Sequence, residues 1–332
     1  MQETYSIAHY FWALFHLLVF PGGFFALCIG LVFKGLDRKF EARLQRRVGP
    51  PVMQPFFDLI KLITKESMIP ETAQRMIFYV APLLGFVGMA VCASLLPIPG
   101  VSKGIPNMGD MLVYFYLLPL PAVALMIAGS SSSSPYGALG FSREMTIMFA
   151  YEIPLLLIIL AIAMQVGGAG AAEFSLGNIV QYQATEGQFA FSWRLFPAFI
   201  AYLLFLPGTM GVPPFDIPEA ETEIIEGPLL EYSGVALGFF QMTSALKIMV
   251  VLGFGVVMFL PGTVMDGSSF IALKIVANIL WFLLKCLVLM VISITLVKSA
   301  TGRFRVDQAF SFYLKFPTLL AAISLLLVWA GI

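Results

Sequence analysis

The sequence predicts an all-α, polytopic membrane protein: eight transmembrane helices, a surface amphipathic helix and an acidic cytoplasmic loop, folded as one integral membrane domain over 1–332. Three observations predict it. Hydrophobic residues make up 59% of the chain and charged ones 11%. Mean hydropathy is +0.92, far outside soluble globular composition. Eight apolar runs are each long enough to cross about 30 Å of hydrocarbon, which takes about 20 helical residues.

Those runs cover about 8–33, 77–97, 111–129, 145–166, 194–213, 234–260, 271–297 and 313–331. The first is too long for the apolar region of a signal peptide. No basic residue precedes it and no small-x-small cleavage pattern follows, so it is expected to remain as a span. An even count puts both termini on one side. Loop 34–76 carries nine basic residues (Lys34, Arg38, Lys39, Arg43, Arg46, Arg47, Lys61, Lys65 and Arg75). Loop 130–144 has Arg143, and loop 298–312 has Lys298, Arg303 and Arg305, against Lys103 and Arg194 opposite. The positive-inside rule therefore places these loops, and by parity loop 214–233, in the cytoplasm of a prokaryotic cell and both termini outside. The outer loops 98–110, 167–193 and 261–270 read as connectors. Cys28, Cys92 and Cys286 lie in apolar runs without metal-ligand spacing, so neither a disulfide nor a metal cluster is expected. The zero formal charge gives no sign of a nucleic-acid partner. No internal repeat of the kind found in inverted-repeat transporters is present.

Within loop 34–76, residues 53–66 place Met53, Phe56, Phe57, Ile60 and Ile63 on one helical face, with Asp58, Lys61 and Lys65 turned away. That pattern suits a helix lying on the membrane or under a partner. The preceding segment 35–51 carries Arg43, Arg46 and Arg47 at helical spacing, with Asp37 and Glu41 as acidic partners. It reads as a positive-inside anchor, or as a docking surface for a carboxylate-rich soluble subunit or for the acidic loop itself, and spacing does not choose between them.

The densest chemistry lies between Phe215 and Glu231. Six carboxylates (Asp216, Glu219, Glu221, Glu223, Glu226 and Glu231) share this stretch, and no Lys or Arg occurs between Arg194 and Lys247. Pro218 and the Gly227-Pro228 stop signal predict a helix over 218–226, with Glu219, Glu223 and Glu226 on one face. Like charges so placed repel, which raises carboxyl pKa values toward neutral and would let the cluster hold or pass protons. A solvated acidic surface helix is the plainer reading of such a run. Against it stand the absence of neighbouring basic partners in sequence and a preceding span interrupted by Pro207-Gly208 and Pro213-Pro214.

Charges inside the spans are the second signal. Lys247 and Lys285 fall near the middle of spans six and seven, where an ionisable group costs about 2.5–3.5 kcal/mol on insertion scales. Each marks either a functional site or a structural pair. Glu144 at the mouth of span four and Glu152 two turns further in, beside Pro154, could line a polar half-path with both lysines. Lys274 sits near the outer end of span seven and snorkels.

Four features together resemble one family: GLDRKFEARLQRRVGPP with QPFFDLIKL (35–62), SSSSSPYGALGFSREM with FAYEIP (130–154), PPFDIPEAETEIIEGPLLEYSG (213–234), and the eight-span layout. The chain is similar to the NADH dehydrogenase subunit 1 family of respiratory complex I and its hydrogenase relatives. The resemblance implies a hinge between a membrane arm and a peripheral electron-transfer arm, with the acidic loop facing the docked redox subunit. It assigns Asp216, Glu219, Glu221, Glu223, Glu226 and Glu231 a part in coupling electron transfer to ion movement. EGPLLEYSG where complex I proteins read something like AGYNVEYSG, the serine-rich loop and QRRVGPP resemble the energy-converting nickel-iron hydrogenases, formate hydrogenlyase-type complexes included.

The resemblance further implies that this chain binds no cofactor. Iron-sulfur clusters and a nickel-iron centre would lie in hydrogenase-like large and small subunits and a ferredoxin-like iron-sulfur subunit, beside antiporter-like membrane subunits. Arg43, Arg46, Arg47 and Arg143 would dock the peripheral subunits; Glu144, Glu152, Lys247 and Lys285 would join the ion path. A quinone-site subunit, with a cavity between span one, helix 53–66 and the acidic loop, is the nearest alternative. A sulfur-reducing relative, an autonomous secondary transporter and a purely structural anchor are the others.

Overall fold

The computed structural model describes residues 14–102, 110–168, 172–265 and 271–331. Lys103 and the first residues expected in span one lie outside them. Thirteen helices are described: α1 Gly23–Leu44, α2 Gln54–Thr64, α3 Arg75–Leu95, α4 Met111–Leu117, α5 Leu120–Ser131, α6 Pro135–Gly167, α7 Leu176–Glu186, α8 Phe196–Met210, α9 Glu221–Ile224, α10 Gly234–Phe259, α11 Ile271–Met290, α12 Leu296–Ala300 and α13 Val306–Ala330. No strand forms among the described residues beyond isolated bridges.

Among the described residues, seven helices are long and apolar enough to cross a membrane, against the eight expected. The run at 194–213 is represented by α8, an apolar helix of 15 residues. At 1.5 Å per residue it covers about 22 Å, less than the hydrocarbon thickness. Gly211 in left-handed conformation (φ +60°) ends it, and Pro213-Pro214 prevent resumption. Other helices outrun their apolar runs: α1 continues to Leu44 and α6 starts at Pro135, carrying charged side chains out of the bilayer on rigid helix.

Helix α10 is the axis of the bundle. Every residue from Ala245 to Phe259 is buried, enclosed by α1, α3, α8 and α11. Approach is closest to α1, where a Cβ added at Gly30 would collide with the Ala245 carbonyl. A second layer pairs α13 with α6 and α8, and α5 with α3 and α6.

Prolines inside the spans leave carbonyls without their helical N–H, and nearby hydroxyls replace it. Pro207 frees the carbonyl of Leu203, which accepts from Ser293 Oγ at 2.5 Å. Pro317 frees that of Tyr313, which accepts from Thr318 Oγ1 at 2.8 Å. Ser293 lies in a π turn, Val291–Thr295, that joins α11 to α12. One residue more than an α turn needs re-aims the helix end, and α12 closes on the C-terminal end of α1.

Candidate functional site

A cavity of about 300 Å³ lies beneath the acidic loop, among α1, α5, α6, the end of α8 and the inner half of α10. Four acids line it, Asp37, Glu144, Asp216 and Glu219, and four bases, Lys34, Arg38, Lys247 and Lys298. Opposed charges in equal number offset one another where water is scarce, which lets a helical bundle hold so many of them.

The acidic stretch does not form the helix predicted over 218–226. Only Glu221–Ile224 is α-helical; Ile225 and Glu226 then take left-handed φ values of +50° and +63°, and Gly227–Leu229 makes a 3-10 turn against α6. This reversal dismantles the expected single acidic face. Glu219 precedes α9 and lines the cavity, Glu223 and Glu226 are exposed and Glu231 is half-buried. The side chain of Glu221 lies outside the described residues.

The stretch also has basic partners, contrary to the expectation from its own neighbourhood. Arg303 grips Asp216 with two bonds, Nε to Oδ1 at 2.9 Å and Nη2 to Oδ2, and reaches Thr222 Oγ1 at 2.8 Å. Arg143 pairs with Glu223 and donates to the Ile217 carbonyl at 3.5 Å. Each arginine stands some 80 residues away in sequence, where no local window could find it. Arg143 thus clamps the loop of its own chain, whereas Arg43 in the last turn of α1 and Arg46 and Arg47 just past it are exposed.

The EYSG end of the motif is a structural seam. Tyr232 stacks on Phe78 with centroids 3.9 Å apart, and its hydroxyl meets Ser131 Oγ at 3.3 Å. Ser233 Oγ accepts from the Met68 amide at 2.9 Å, and Ser67 Oγ from the Val235 amide at 3.1 Å. The loop's return is thereby stitched to the segment following α2.

Burial is the largest influence on Glu219, raising its carboxyl to about 7; Glu144 and Glu226 push the same way, while Lys34 and Lys247 oppose them. Glu219 is therefore poised between protonated and ionised near neutral pH. Lys247 is buried at 8% exposure on α10, about 20 Å along the helix from Gly234. Glu152 does not line the cavity. It sits eight residues, about 12 Å, beyond Glu144 on α6, with one carboxylate oxygen buried and unbonded among the described residues. Lys285 lies at the opposite end of α10, donating to the carbonyls of Leu260 and Gly262 at 2.6 and 2.5 Å and facing Trp281. That is the place of a cation neutralising a helix C-terminus.

Sequence reading missed Lys34 and Lys298, which count there as loop anchors. Lys34 instead bonds Gln241 Oε1 at 3.0 Å and Ser244 Oγ, across to α10. Asp37 and Glu41 pair with Lys298, not with the arginines of their own segment, and Arg38 pairs with Asp58 of α2. Helix α2 exposes Phe57, Ile60 and Ile63, with Met53 exposed just before it, and contributes nothing to the cavity wall.

The sequence profile of the NADH dehydrogenase family matches residues 17–329. The H subunit of NADH-quinone oxidoreductase from Dehalococcoides mccartyi is 31% identical over 314 residues, 92% of this chain and 83% of that protein. Formate hydrogenlyase subunit 4 of Escherichia coli is 32% identical over 299 residues, 88% of this chain and 94% of that one. Among solved structures, a chain of the membrane-bound sulfane sulfur reductase, an archaeal respiratory membrane complex, matches with a TM-score of 0.84 at 30% identity, covering 95% of this chain and 99% of its own.

Proposed function

The chain belongs to the NADH dehydrogenase family of complex I membrane subunits, close to its hydrogenase-type members, and on that premise we propose that it couples electron transfer in docked subunits to ion movement. As a multi-pass membrane subunit of a complex I-like or hydrogenase-type assembly, it holds the family's place between membrane and redox partners. In this reading the partners are hydrogenase-like large and small subunits with a ferredoxin-like iron-sulfur protein on the acidic loop, and antiporter-like subunits in the membrane. The iron-sulfur clusters and nickel-iron centre belong to those partners. Arg43, Arg46 and Arg47 offer exposed positive charge for docking, and the basic loops orient the acidic loop to the cytoplasm with both termini outside.

The single observation that carries this reading is the charged cavity. Eight ionisable side chains around about 300 Å³ suit water and protons. Added charge in a docked cluster alters the potential at Glu219, whose carboxyl already titrates at about 7, and a proton taken up or released there changes the field on Glu144 and Lys247. The test is Glu219→Gln in the whole complex in liposomes. We expect fewer ions moved per electron, or loss of turnover; coupled pumping at the wild-type ratio would refute the reading.

The identity of the co-purifying partners separates the branches. A nickel-iron large subunit without flavoprotein favours the hydrogenase reading, NADH-oxidising partners the quinone-site reading. A complex without nickel that reduces sulfur compounds favours the third.

A further inference from the structure

One charged cluster is left without a role by the coupling scheme above. Lys298 Nζ stands 2.7 Å from Glu41 Oε2 and 3.5 Å from Asp37 Oδ2. The three side chains are 20%, 19% and 12% exposed, so the cluster is largely withdrawn from water. Asp37 and Glu41 are successive-turn neighbours on α1. Both share one ammonium, which stands closer to Glu41 than to Asp37. Asp37 and Lys298 line the cavity, whereas Glu41 does not. Lys298 therefore sits on the rim, with one acid inside and one outside.

Asp37 is also held from outside the trio. Thr295 Oγ1 donates to Asp37 Oδ1 at 2.7 Å from the last residue of the π turn, a turn itself tied to α8 through Ser293. The other charged groups nearby are engaged: Arg38 with Asp58, Lys34 with Gln241 and Ser244, and Asp216 with Arg303. With every group ionised the trio carries one uncompensated negative charge.

We propose that Lys298 is a two-position gate on a proton route from the cytoplasm into the cavity. Drawn fully onto Glu41, it releases the 3.5 Å contact to Asp37 Oδ2, which then takes a proton from water at the rim and passes it through cavity water to the Glu219 carboxylate. Resting on Asp37, it closes that route. The step breaks and forms only O–H bonds, and Lys298 stays protonated throughout. It is a positioning residue acting through Asp37. This inference rests on the proton-handling reading of the cavity.

The experiment is a pH jump on the whole complex in membranes, following the Glu219 carboxyl by rapid infrared spectroscopy; its band is assigned by its loss in Glu219→Gln. Lys298→Met is expected to speed Glu219 protonation several-fold and Asp37→Asn to slow it. Lys298→Arg should slow it also, because a forked guanidinium holds both carboxylates at once. Damage to structure would not produce opposite changes from Met and Arg at one position. If the Met variant does not assemble, the Arg variant decides: wild-type kinetics there overturn the gate, slowed kinetics support it. The pumping ratio of Glu219→Gln reports on the coupling reading separately. Loss of coupling in that variant with wild-type kinetics in all Lys298 and Asp37 variants would remove the gate and leave the reading standing.

Discussion

Arg303 holds Asp216 in a two-pronged grip, with Nε 2.9 Å from Oδ1 and Nη2 on Oδ2. The pair ties the segment following α12 to the start of the acidic loop. Both side chains are less than one-third exposed, so removing the guanidinium strands a carboxylate that water reaches poorly. Arg303→Ala should loosen the loop by about 1–3 kcal/mol. Hydrogen exchange over 212–230 should rise while exchange within α10 holds. Lys at 303 restores charge without the fork and should recover only part of the protection.

Glu219 gives the pH dependence its sign. Burial raises its carboxyl from an ordinary 4.5 to about 7, so the protonated form is the one the fold favours. Its contribution to stability is complete below about 4.5 and is lost as pH rises through about 7. Unfolding of the detergent-solubilised complex should become easier across that window, and Glu219→Gln should flatten the slope. The neighbours act in known directions on this carboxyl. Lys34→Met should therefore move its titration upward and Glu144→Gln downward, read from the same infrared band.

Lys247 and Lys285 part company in the structure. Lys247 lines the cavity, whereas Lys285 donates to two carbonyls just past the other end of α10. Lys285→Met should lower the midpoint of thermal unfolding, the loss of charged bonds to carbonyls being worth about 1–3 kcal/mol. Its ratio of ions per electron should stay above that of Lys247→Met.

Tyr232 anchors the far end of the acidic stretch. Tyr232→Phe removes only the hydroxyl that meets Ser131 and should cost about 1 kcal/mol. Tyr232→Leu also loses the stack on Phe78 and should cost about 1 kcal/mol more. Thermal unfolding of the two variants in one detergent gives the difference.

Features that depend on local pattern were legible in the sequence. Apolar run lengths found the helices, periodicity found α2, and the PFDIPEAE and EYSG residues carried the family resemblance. Lys247 was found because a lysine inside a span is conspicuous. The outline of the acidic loop was not legible, because two non-glycine residues, Ile225 and Glu226, adopt left-handed φ, a conformation neither residue type advertises. Nor were the partners of Asp216, Glu223 and Asp37, which come from segments far away in sequence. Lys34 and Lys298 were hidden for another reason: helices that continue past the apolar runs keep them in the bundle, where a hydropathy boundary had already counted them as loop.

The enclosure of α10 has a consequence for how the assembly answers its surroundings. A helix walled by protein from Ala245 to Phe259 meets no acyl chains there. Changes in bilayer thickness, fluidity or headgroup composition reach Lys247 through the helices around it. The protein has set this cavity-lining charge in a compartment of its own making, and growth temperature or lipid diet should tune the outer helices long before it disturbs that lysine.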